Sequence, residues 1–277
     1  MPRSVLAKMN SKTLAIFCFL IFIIGCGEKN KNPNIIIIFT DDQGYGDLGC
    51  YGATKFETPH IDSMAKEGLL FTDFYVSQAV CSASRASLMT GSYAERVGIQ
   101  GALSPWEVGG LDPKIQTIAK LLKSYEYTNA IFGKWHLVPR PTPIDMGLND
   151  PLKLKSISKM YDEHMPEKNG FDENYGGDHS PNQGGRFLYP KFRDFPGLAG
   201  KGTTHDCLTD ILTDCAVDYL DRKKDEPFFI YMSYYTVHTP ITGKPKYVEK
   251  YQKKLVDNPN RGNMKIFKLN TTFAKFI

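Results

Sequence analysis

The stretch NIIIIFTDDQG, residues 34–44, indicates the architecture of the chain. Its four consecutive isoleucines and the following phenylalanine form a continuous apolar run. Such a run is typical of a strand buried on both faces of a parallel sheet. The run ends at once in two adjacent aspartates, Asp41 and Asp42. Ligands of open α/β sheets bind outside the carboxyl ends of the strands, so we expect these two aspartates to border a binding site.

Further strands and helices alternate along the chain. Residues 58–68, TPHIDSMAKEG, predict a helix with Thr58 as its N-cap, Pro59 at its first position and Gly68 as its stop. Apolar periodicity predicts two more helices, QTIAKLLKSYEY at 116–127 and THDCLTDILTDCAVDYLDRKK at 204–224. Strands are predicted in LLFTDFYV at 69–76, TNAIF at 128–132 and FFIYMSYYTV at 228–237. This alternation predicts an α/β fold with a largely parallel or mixed sheet flanked by helices.

The segment 139–203 is rich in Pro, Gly, Asn and Asp and shows little periodicity. Stretches of this length without regular structure are usually functional loops or disordered. We therefore expect long loops that border a site.

Composition places the chain among ordinary globular proteins. It has 277 residues, of which 42% are hydrophobic and 23% charged, enough for one large domain or two small ones. The formal net charge of +4 includes a basic leader. No Lys/Arg stripe is interleaved with stacking aromatic residues, so nucleic acid is not an expected partner.

The N-terminus predicts export. Arg3, Lys8 and Lys12 precede an apolar run of 11 residues, LAIFCFLIFII at 14–24. This pattern is typical of a signal peptide, and the run is shorter than the roughly 20 residues that span a bilayer. The sequence IIGC, ending at Cys26, resembles the lipobox of bacterial lipoproteins. The resemblance implies a signal peptide over 1–25, lipidation of Cys26, a tether over 26–33, and a lipid anchor in a bacterial membrane, in the periplasm or at the cell surface. An ordinary signal peptide cleaved nearby is the alternative.

Four cysteines follow the predicted tether. Cys207 and Cys215 lie eight positions apart in one predicted helix, about 12 Å along its axis, which is beyond disulfide reach. We interpret them as core residues. A bridge between Cys50 and Cys81 stays open.

Polar side chains also follow the later predicted strands. Lys134 and His136 come after TNAIF, and His238 follows FFIYMSYYTV. Lys134 and His136 would point the same way from an extended backbone, giving a cation beside a group that moves protons. The adjacent aspartates supply hard oxygen ligands that suit Ca²⁺ or Mg²⁺ better than zinc. A cation and a metal together suggest an anionic substrate.

The run CSASRASLMTG, residues 81–91, resembles the signature of the sulfatase family, Cys-x-(Pro or Ala)-x-Arg followed by Leu-x-Thr-Gly. Cys81, Arg85 and Gly91 match that signature. Ala83 replaces the more frequent proline, and Ser92 replaces an arginine often found after the glycine. The segments at 34–52, 58–76, 133–137 and 238–240 are similar to other family motifs in the same order.

This resemblance implies an alkaline-phosphatase-like fold, with residues 34–277 forming an incomplete N-terminal catalytic domain. In this family a later strand supplies an Asp-Asn pair that completes the metal site. No segment resembling Asp-Asn-Gly-Gly follows His238 in the sequence. The resemblance thus implies a C-terminally truncated chain that lacks the later strands and the C-terminal subdomain, and an inactive or unstable fragment is one interpretation.

The resemblance also implies a mechanism. Cys81 becomes formylglycine, whose hydrate carries two hydroxyls: one attacks sulfur and expels the alcohol, and the other later collapses to the aldehyde and releases sulfate. The implied metal is Ca²⁺ rather than Mg²⁺, bound by Asp41, Asp42 and the modified residue 81. In the implied roles of the remaining residues, Arg85 holds the hydrate, Lys134 pairs with sulfate, and His136 takes a proton from the second hydroxyl. His238 contacts sulfate or assists the leaving group. A further contact to the sulfate comes from His179 or Ser180.

The predicted function is therefore hydrolysis of sulfate esters, on carbohydrates or similar esters. The implied partners are a sulfated carbohydrate, a formylglycine-generating or radical maturation enzyme, and a membrane through the lipid anchor alone. Two alternatives remain open. One is a phosphodiesterase or phosphonate hydrolase of the same superfamily, and the other is a degenerate lipoprotein that binds glycans without catalysis.

Overall fold

The computed structural model describes residues 32–104, 109–138, 151–181, 191–192, 194–204 and 206–256. The described residues from Asn34 onward belong to one compact unit. The predicted signal peptide, Cys26 and most of the predicted tether lie outside the described residues, and so does the part of the chain after 256. None of the helices within the described ranges has the length and apolar composition needed to cross a bilayer.

Four parallel strands form the sheet in the residues that the structure describes. They are β1 (Ile35–Phe39), β2 (Thr128–Gly133), β3 (Glu173–Tyr175) and β4 (Phe228–Ser233), in the spatial order β1-β4-β2-β3. The predicted α/β class with a largely parallel sheet is confirmed.

Six α-helices accompany the sheet in the described residues. They are α1 (Pro59–Glu67), α2 (Cys81–Thr90), α3 (Ile118–Lys123), α4 (Pro151–Glu163), α5 (Leu208–Lys223) and α6 (Pro245–Val256). The prediction for α1 is confirmed, including Thr58 as N-cap and Gly68 as C-cap. Short 3-10 turns lie at Tyr45–Asp47, Gly49–Tyr51, Ala94–Val97 and Pro166–Asn169.

Both faces of the central strand β4 are buried because its side chains alternate between two apolar clusters. Phe228, Ile230 and Met232 pack on one face with residues of α5, including Leu208, Leu212 and Tyr219. Phe229 and Tyr231 pack on the other face with residues of α2 and α3, including Ala83, Ala86 and Ala119. The two clusters hold the strand rigidly, so the residues at its carboxyl end are well positioned.

Strand β1 differs from its prediction. Ile36 and Ile38 are 48% and 55% exposed, whereas Ile35, Ile37 and Phe39 are partly buried. The expectation of burial on both faces is therefore wrong. In the described residues β1 pairs only with β4, so it is an edge strand. α5 packs against β4 on the face that carries Ile36 and Ile38, but these two side chains stay exposed.

Two other segments also depart from expectation. Residues 69–76 form no strand, and their large side chains are exposed, among them Leu69, Phe71, Phe74 and Tyr75. Alternation of apolar residues predicts a strand only where a neighbouring strand pairs with it, and none does so here. The segment predicted as long loops, 139–203, contains α4 and β3, and parts of it lie outside the described residues.

The cysteines within the described ranges are free thiols. Cys207 and Cys215 are buried, as predicted from the helical spacing. The open alternative of a bridge between Cys50 and Cys81 is not observed.

Candidate active site at the carboxyl edge of the sheet

The predicted site residues follow strands whose carboxyl ends meet at one edge. The parallel register aligns Phe39 of β1, Ser233 of β4 and Gly133 of β2 across the sheet. Lys134 comes directly after this row, and Asp41 comes two positions after Phe39. The convergence expected from parallel strand order is thus observed for these two residues.

Asp41 is buried and fixed through both its main chain and its side chain. Its amide donates to the carbonyl oxygen of Thr236 at 2.9 Å, and its own carbonyl accepts from the amide of Val237 at 2.7 Å. Its carboxylate accepts from Lys134 Nζ at 2.5 Å and lies 3.4 Å from Arg85 Nη2. One carboxylate therefore faces two cations.

Arg85 enters the site from α2 and is fully buried. Its Nη1 donates to the carbonyl oxygen of Lys134 at 3.0 Å, to Ser233 Oγ, and to Tyr231 Oη at 3.4 Å. Burial alone lowers the pKa of Arg85, but Tyr231 and the Asp41 carboxylate outweigh it, so the pKa is raised. The guanidinium therefore stays charged in the interior.

Lys134 is also completely buried. Its pKa is lowered, first by burial and then by the neighbouring Arg85, while Asp41 opposes the shift. With Arg85 and Lys134 protonated, the cluster carries one positive charge in excess of the Asp41 carboxylate. Placing such an excess in a poorly solvated site is costly, and an anionic ligand would offset the cost.

Cys81 is the first residue of α2 and is partly exposed. Arg85 follows it by one helical turn, so both side chains lie on the same face of the helix. Cys81 is near enough to affect the pKa of both Arg85 and Lys134. The helix N-terminus adds partial positive charge there, so an anion bound at Cys81 would meet three sources of favourable potential.

His136 is buried but does not project from an extended backbone as predicted. Its φ angle is +51°, in the left-handed region. Its Nε2 lies 3.0 Å from the carbonyl oxygen of Leu103, and its amide donates to the carbonyl oxygen of Asp178 at 2.9 Å. Burial, reinforced by the charge of Lys134, lowers the pKa of His136 to about 3, so the ring is neutral at pH 7.

His238 and Asp42 form a separate pair at the rim. His238 Nε2 lies 3.7 Å from Asp42 Oδ2, and its Nδ1 lies 2.6 Å from the carbonyl oxygen of Thr239. The Asp42 side chain is 61% exposed, and the residue has a φ of +62°. Asp42 therefore does not share the buried contacts of its neighbour Asp41.

The candidates His179 and Ser180 lie beyond the end of β3. His179 Nδ1 is 3.6 Å from Asp178 Oδ2 and 3.3 Å from Tyr161 Oη. The Ser180 amide donates to Asp178 Oδ1 at 2.7 Å, and the serine is buried. These contacts arrange both residues around Asp178, and their role at the sulfate stays a prediction.

The described residues do not form a metal site in this arrangement. No three His, Cys, Asp or Glu side chains lie together within the described ranges. The chemistry of the donors explains this, because both oxygens of Asp41 face cations while the side chain of Asp42 is exposed. The predicted set Asp41, Asp42 and Cys81 is therefore not assembled around one point.

Sequence reasoning missed two residues that organise the site. Ser233 Oγ donates to the carbonyl oxygen of Lys134 at 2.7 Å and accepts from Arg85. Tyr231 Oη contacts the same guanidinium. A serine that ends the otherwise apolar strand FFIYMS was the available signal, because a polar group at that position must find a partner.

Comparison with known proteins identifies the family. A family model described as Sulfatase matches residues 33–263. The N-acetylgalactosamine-6-sulfatase of Homo sapiens is 34% identical over 244 residues, which cover 79% of this chain and 42% of the human protein.

Two solved structures extend this comparison. The crystal structure of Ps i-CgsB is 30% identical with a TM-score of 0.62, covering 88% of this chain and 52% of that one. The structure of BT4656 in complex with its substrate D-glucosamine-2-N,6-O-disulfate is 25% identical with a TM-score of 0.55, covering 81% of this chain and 38% of that one. The chain thus spans about half the length of these relatives or less. Because the family model matches most of the sequence, and because the signature residues Cys81 and Arg85 meet at the carboxyl edge of a parallel sheet, the chain belongs to the sulfatase family.

Proposed function

We propose that the protein hydrolyses sulfate esters of carbohydrates at the site containing Cys81, Arg85 and Lys134. The observation that carries the proposal is the excess positive charge of the buried cluster next to Cys81. A sulfate group is a compact anion that would accept hydrogen bonds from both cations and from the amides at the start of α2. The sulfatase membership of the chain supports the same choice of substrate.

The proposed nucleophile is residue 81 after oxidation of its cysteine to formylglycine, which supplies a geminal hydroxyl for attack on sulfur. Arg85 then orients this group from one turn further along α2. Lys134 neutralises charge that develops on the sulfate oxygens, which is the largest contribution expected from fixed groups in a buried site. His136 is neutral, so it can accept the proton of the second hydroxyl.

The roles of the rim residues follow from exposure. His238 is partly exposed beside Asp42, a position suited to protonating or contacting the departing alcohol. His179 is the proposed further contact to the sulfate. The proposed metal is Ca²⁺ rather than Mg²⁺. Binding of the ion at Asp41 would require the contacts of Asp41 with Lys134 and Arg85 to be rearranged.

Mass spectrometry and parallel assays test the proposal. The 277-residue chain, coexpressed with a formylglycine-generating enzyme, should yield a tryptic peptide with formylglycine at position 81. Sulfated monosaccharides should be hydrolysed faster than the matching phosphate esters, and Cys81→Ala should abolish turnover. Faster hydrolysis of phosphate esters would favour the phosphodiesterase alternative. Modification without turnover, combined with binding of sulfated sugars, would favour the non-catalytic alternative.

We also propose that the protein is exported and anchored by a lipid on Cys26. The support is the sequence pattern alone, since this region lies outside the described residues. Labelling of cells with a radioactive fatty acid tests it, because Cys26→Ser should lose both the label and the membrane fraction. An unchanged distribution of the variant would reject the anchor.

A further inference from the structure

Ser82 follows the candidate nucleophile directly, and its side chain is completely buried. Its Oγ accepts a hydrogen bond from the amide of Leu103, 21 residues further along the chain, at 3.0 Å. This contact ties the first turn of α2 to the loop that follows the 3-10 turn Ala94–Val97. The hydroxyl therefore fixes a piece of main chain as well as filling space.

The same residue, Leu103, contacts His136 through its carbonyl oxygen. That oxygen lies 3.0 Å from His136 Nε2. A carbonyl oxygen can only accept, so Nε2 must carry the hydrogen. His136 Nδ1 then carries the lone pair, and it is buried without a hydrogen-bond partner in the described part of the chain.

The tautomer matters because the ring is neutral. Burial and the charge of Lys134 lower the pKa of His136 to about 3. At pH 7 only one of its two ring nitrogens therefore carries a hydrogen. A neutral imidazole accepts a proton only at the nitrogen that lacks hydrogen. A hydrogen bond of ordinary strength biases such an equilibrium by roughly tenfold.

We propose that Ser82 is a positioning residue for His136. By holding the amide of Leu103, Ser82 keeps the Leu103 carbonyl in place, and that carbonyl holds His136 in the Nε2–H tautomer with Nδ1 as the free acceptor. This inference rests on the proposed function, in which His136 accepts a proton during hydrolysis. It gives the serine beside Cys81 a role in preparing the group that accepts this proton.

The loop has other anchors, so loss of the Ser82 hydroxyl should leave the fold intact. The amide of Ile99 donates to the carbonyl oxygen of Ala94 at 2.9 Å. The side chain of Leu103 packs against the apolar cluster that contains Trp135 and Leu137. Ser82→Ala removes one oxygen atom and creates little empty space.

Nitrogen NMR of histidine reads the tautomer directly, without turnover and without metal. The 277-residue chain is labelled with ¹⁵N-histidine, and long-range ¹H–¹⁵N correlation spectra are recorded at pH 7 in EDTA. His136→Asn assigns the His136 signals by their disappearance. In the unsubstituted chain Nε2 should have the shift of a protonated nitrogen and Nδ1 that of an unprotonated one.

Three variants then test the part played by Ser82. Ser82→Ala should shift the ¹⁵N resonances of His136 toward tautomer averaging, lowering the ratio of the two tautomers by about tenfold. Ser82→Thr, which keeps the hydroxyl, should restore the spectrum. Ser84→Ala is the matched control, because Ser84 lies in the same helical turn and donates to the carbonyl oxygen of Cys81 at 3.2 Å instead. It should leave His136 unchanged.

Several outcomes would overturn the proposal. Observation of the Nδ1–H tautomer in the unsubstituted chain would overturn it. An unchanged His136 spectrum in Ser82→Ala would also overturn it. If Ser82→Ala does not fold, Ser82→Cys replaces it, and the weaker thiol acceptor should give an intermediate shift. A correct tautomer result in a chain without sulfate-ester turnover would reject the proposed function alone.

Discussion

At the scale of single residues, Asp41 determines whether the buried charges of the site are tolerated. Arg85 and Lys134 have no exposed side-chain surface, and the Asp41 carboxylate faces both. Ser233 and Tyr231 accept hydrogen bonds from the guanidinium of Arg85 but carry no negative charge. Within the described part of the chain, the neutralisation of the two cations therefore depends on the Asp41 carboxylate.

Asp41→Asn should destabilise the protein severely. The substitution leaves two buried cations without a counter-charge, and breaking a buried pair in this way costs about 3–5 kcal/mol. The free energy of unfolding, measured by urea titration in EDTA, should fall by that amount.

Asp42→Asn is the matched control, because the adjacent side chain is exposed and its contact with His238 spans 3.7 Å. Its effect on the free energy of unfolding should stay within about 0.5 kcal/mol. Equal effects of the two substitutions would contradict the assignment of Asp41 as the buried counter-charge. The same titrations repeated in Ca²⁺ without EDTA test the proposed metal, which should stabilise the unsubstituted chain more than Asp42→Asn.

At the scale of secondary-structure elements, the carboxyl ends of β2 and β4 are in unusually close contact. Gly133 ends β2 with a φ of +106°, and a Cβ on it would lie 2.0 Å from the carbonyl oxygen of Ser233. That same carbonyl accepts from the amide of Lys134 at 2.6 Å. Glycine at 133 thus allows the two strand ends to approach closely enough to position both Lys134 and Ser233.

Gly133→Ala should lower stability and disturb the site together. Strain in the backbone dihedral costs about 1–3 kcal/mol, and the clash with main-chain atoms adds to it. We expect a loss of more than about 2 kcal/mol in the free energy of unfolding by urea titration.

Gly91→Ala provides the comparison, since Gly91 ends α2 with a φ of +64° but has open space around it. A left-handed alanine there should cost about 1 kcal/mol. If both variants lost the same stability, the close approach at Gly133 would not be the cause of its requirement for glycine.

At the scale of the whole molecule, one apolar surface lies beside the site. It consists of the outer face of β1 with Ile36 and Ile38, and of exposed side chains within 69–76. A pocket of about 500 Å³ between β1 and α1 adjoins it, lined by residues that include Ile38, Met64, Leu69 and Val237. Exposed edge strands with apolar side chains tend to associate with other chains.

The 277-residue chain should therefore self-associate through this surface. Sedimentation velocity should show an average mass that rises with concentration. Placing charge on the edge, with Ile36→Lys and Ile38→Lys combined, should reduce association because a lysine on an edge strand opposes pairing.

Val217→Lys is the control for added charge, since Val217 is 53% exposed on α5 and is not one of the residues that define this surface. It should leave association unchanged. A monomeric unsubstituted chain at all concentrations, or equal effects of the two variants, would contradict the assignment of this surface.

The sequence by itself determined the strands β1, β2 and β4, the helices α1, α3 and α5, the candidate residues at the strand ends, and the family. These depend on local information: apolar periodicity, capping residues such as Thr58 and Gly68, and the run that surrounds Cys81. Parallel strands bring their carboxyl ends to one edge, so the meeting of Asp41 with Lys134 could be predicted without knowing the register.

Only the tertiary structure decided which partners these residues have. The pairing of Asp41 with two cations, the placement of Ser233 under Arg85, and the contact of His136 with Leu103 all join residues more than 30 positions apart. The same holds for β1, because a run of isoleucines reads alike in a central strand and at an edge. The exposure of its alternate side chains depends on what packs over that face of the sheet, and long-range packing of this kind leaves no trace in the local pattern of a single sequence.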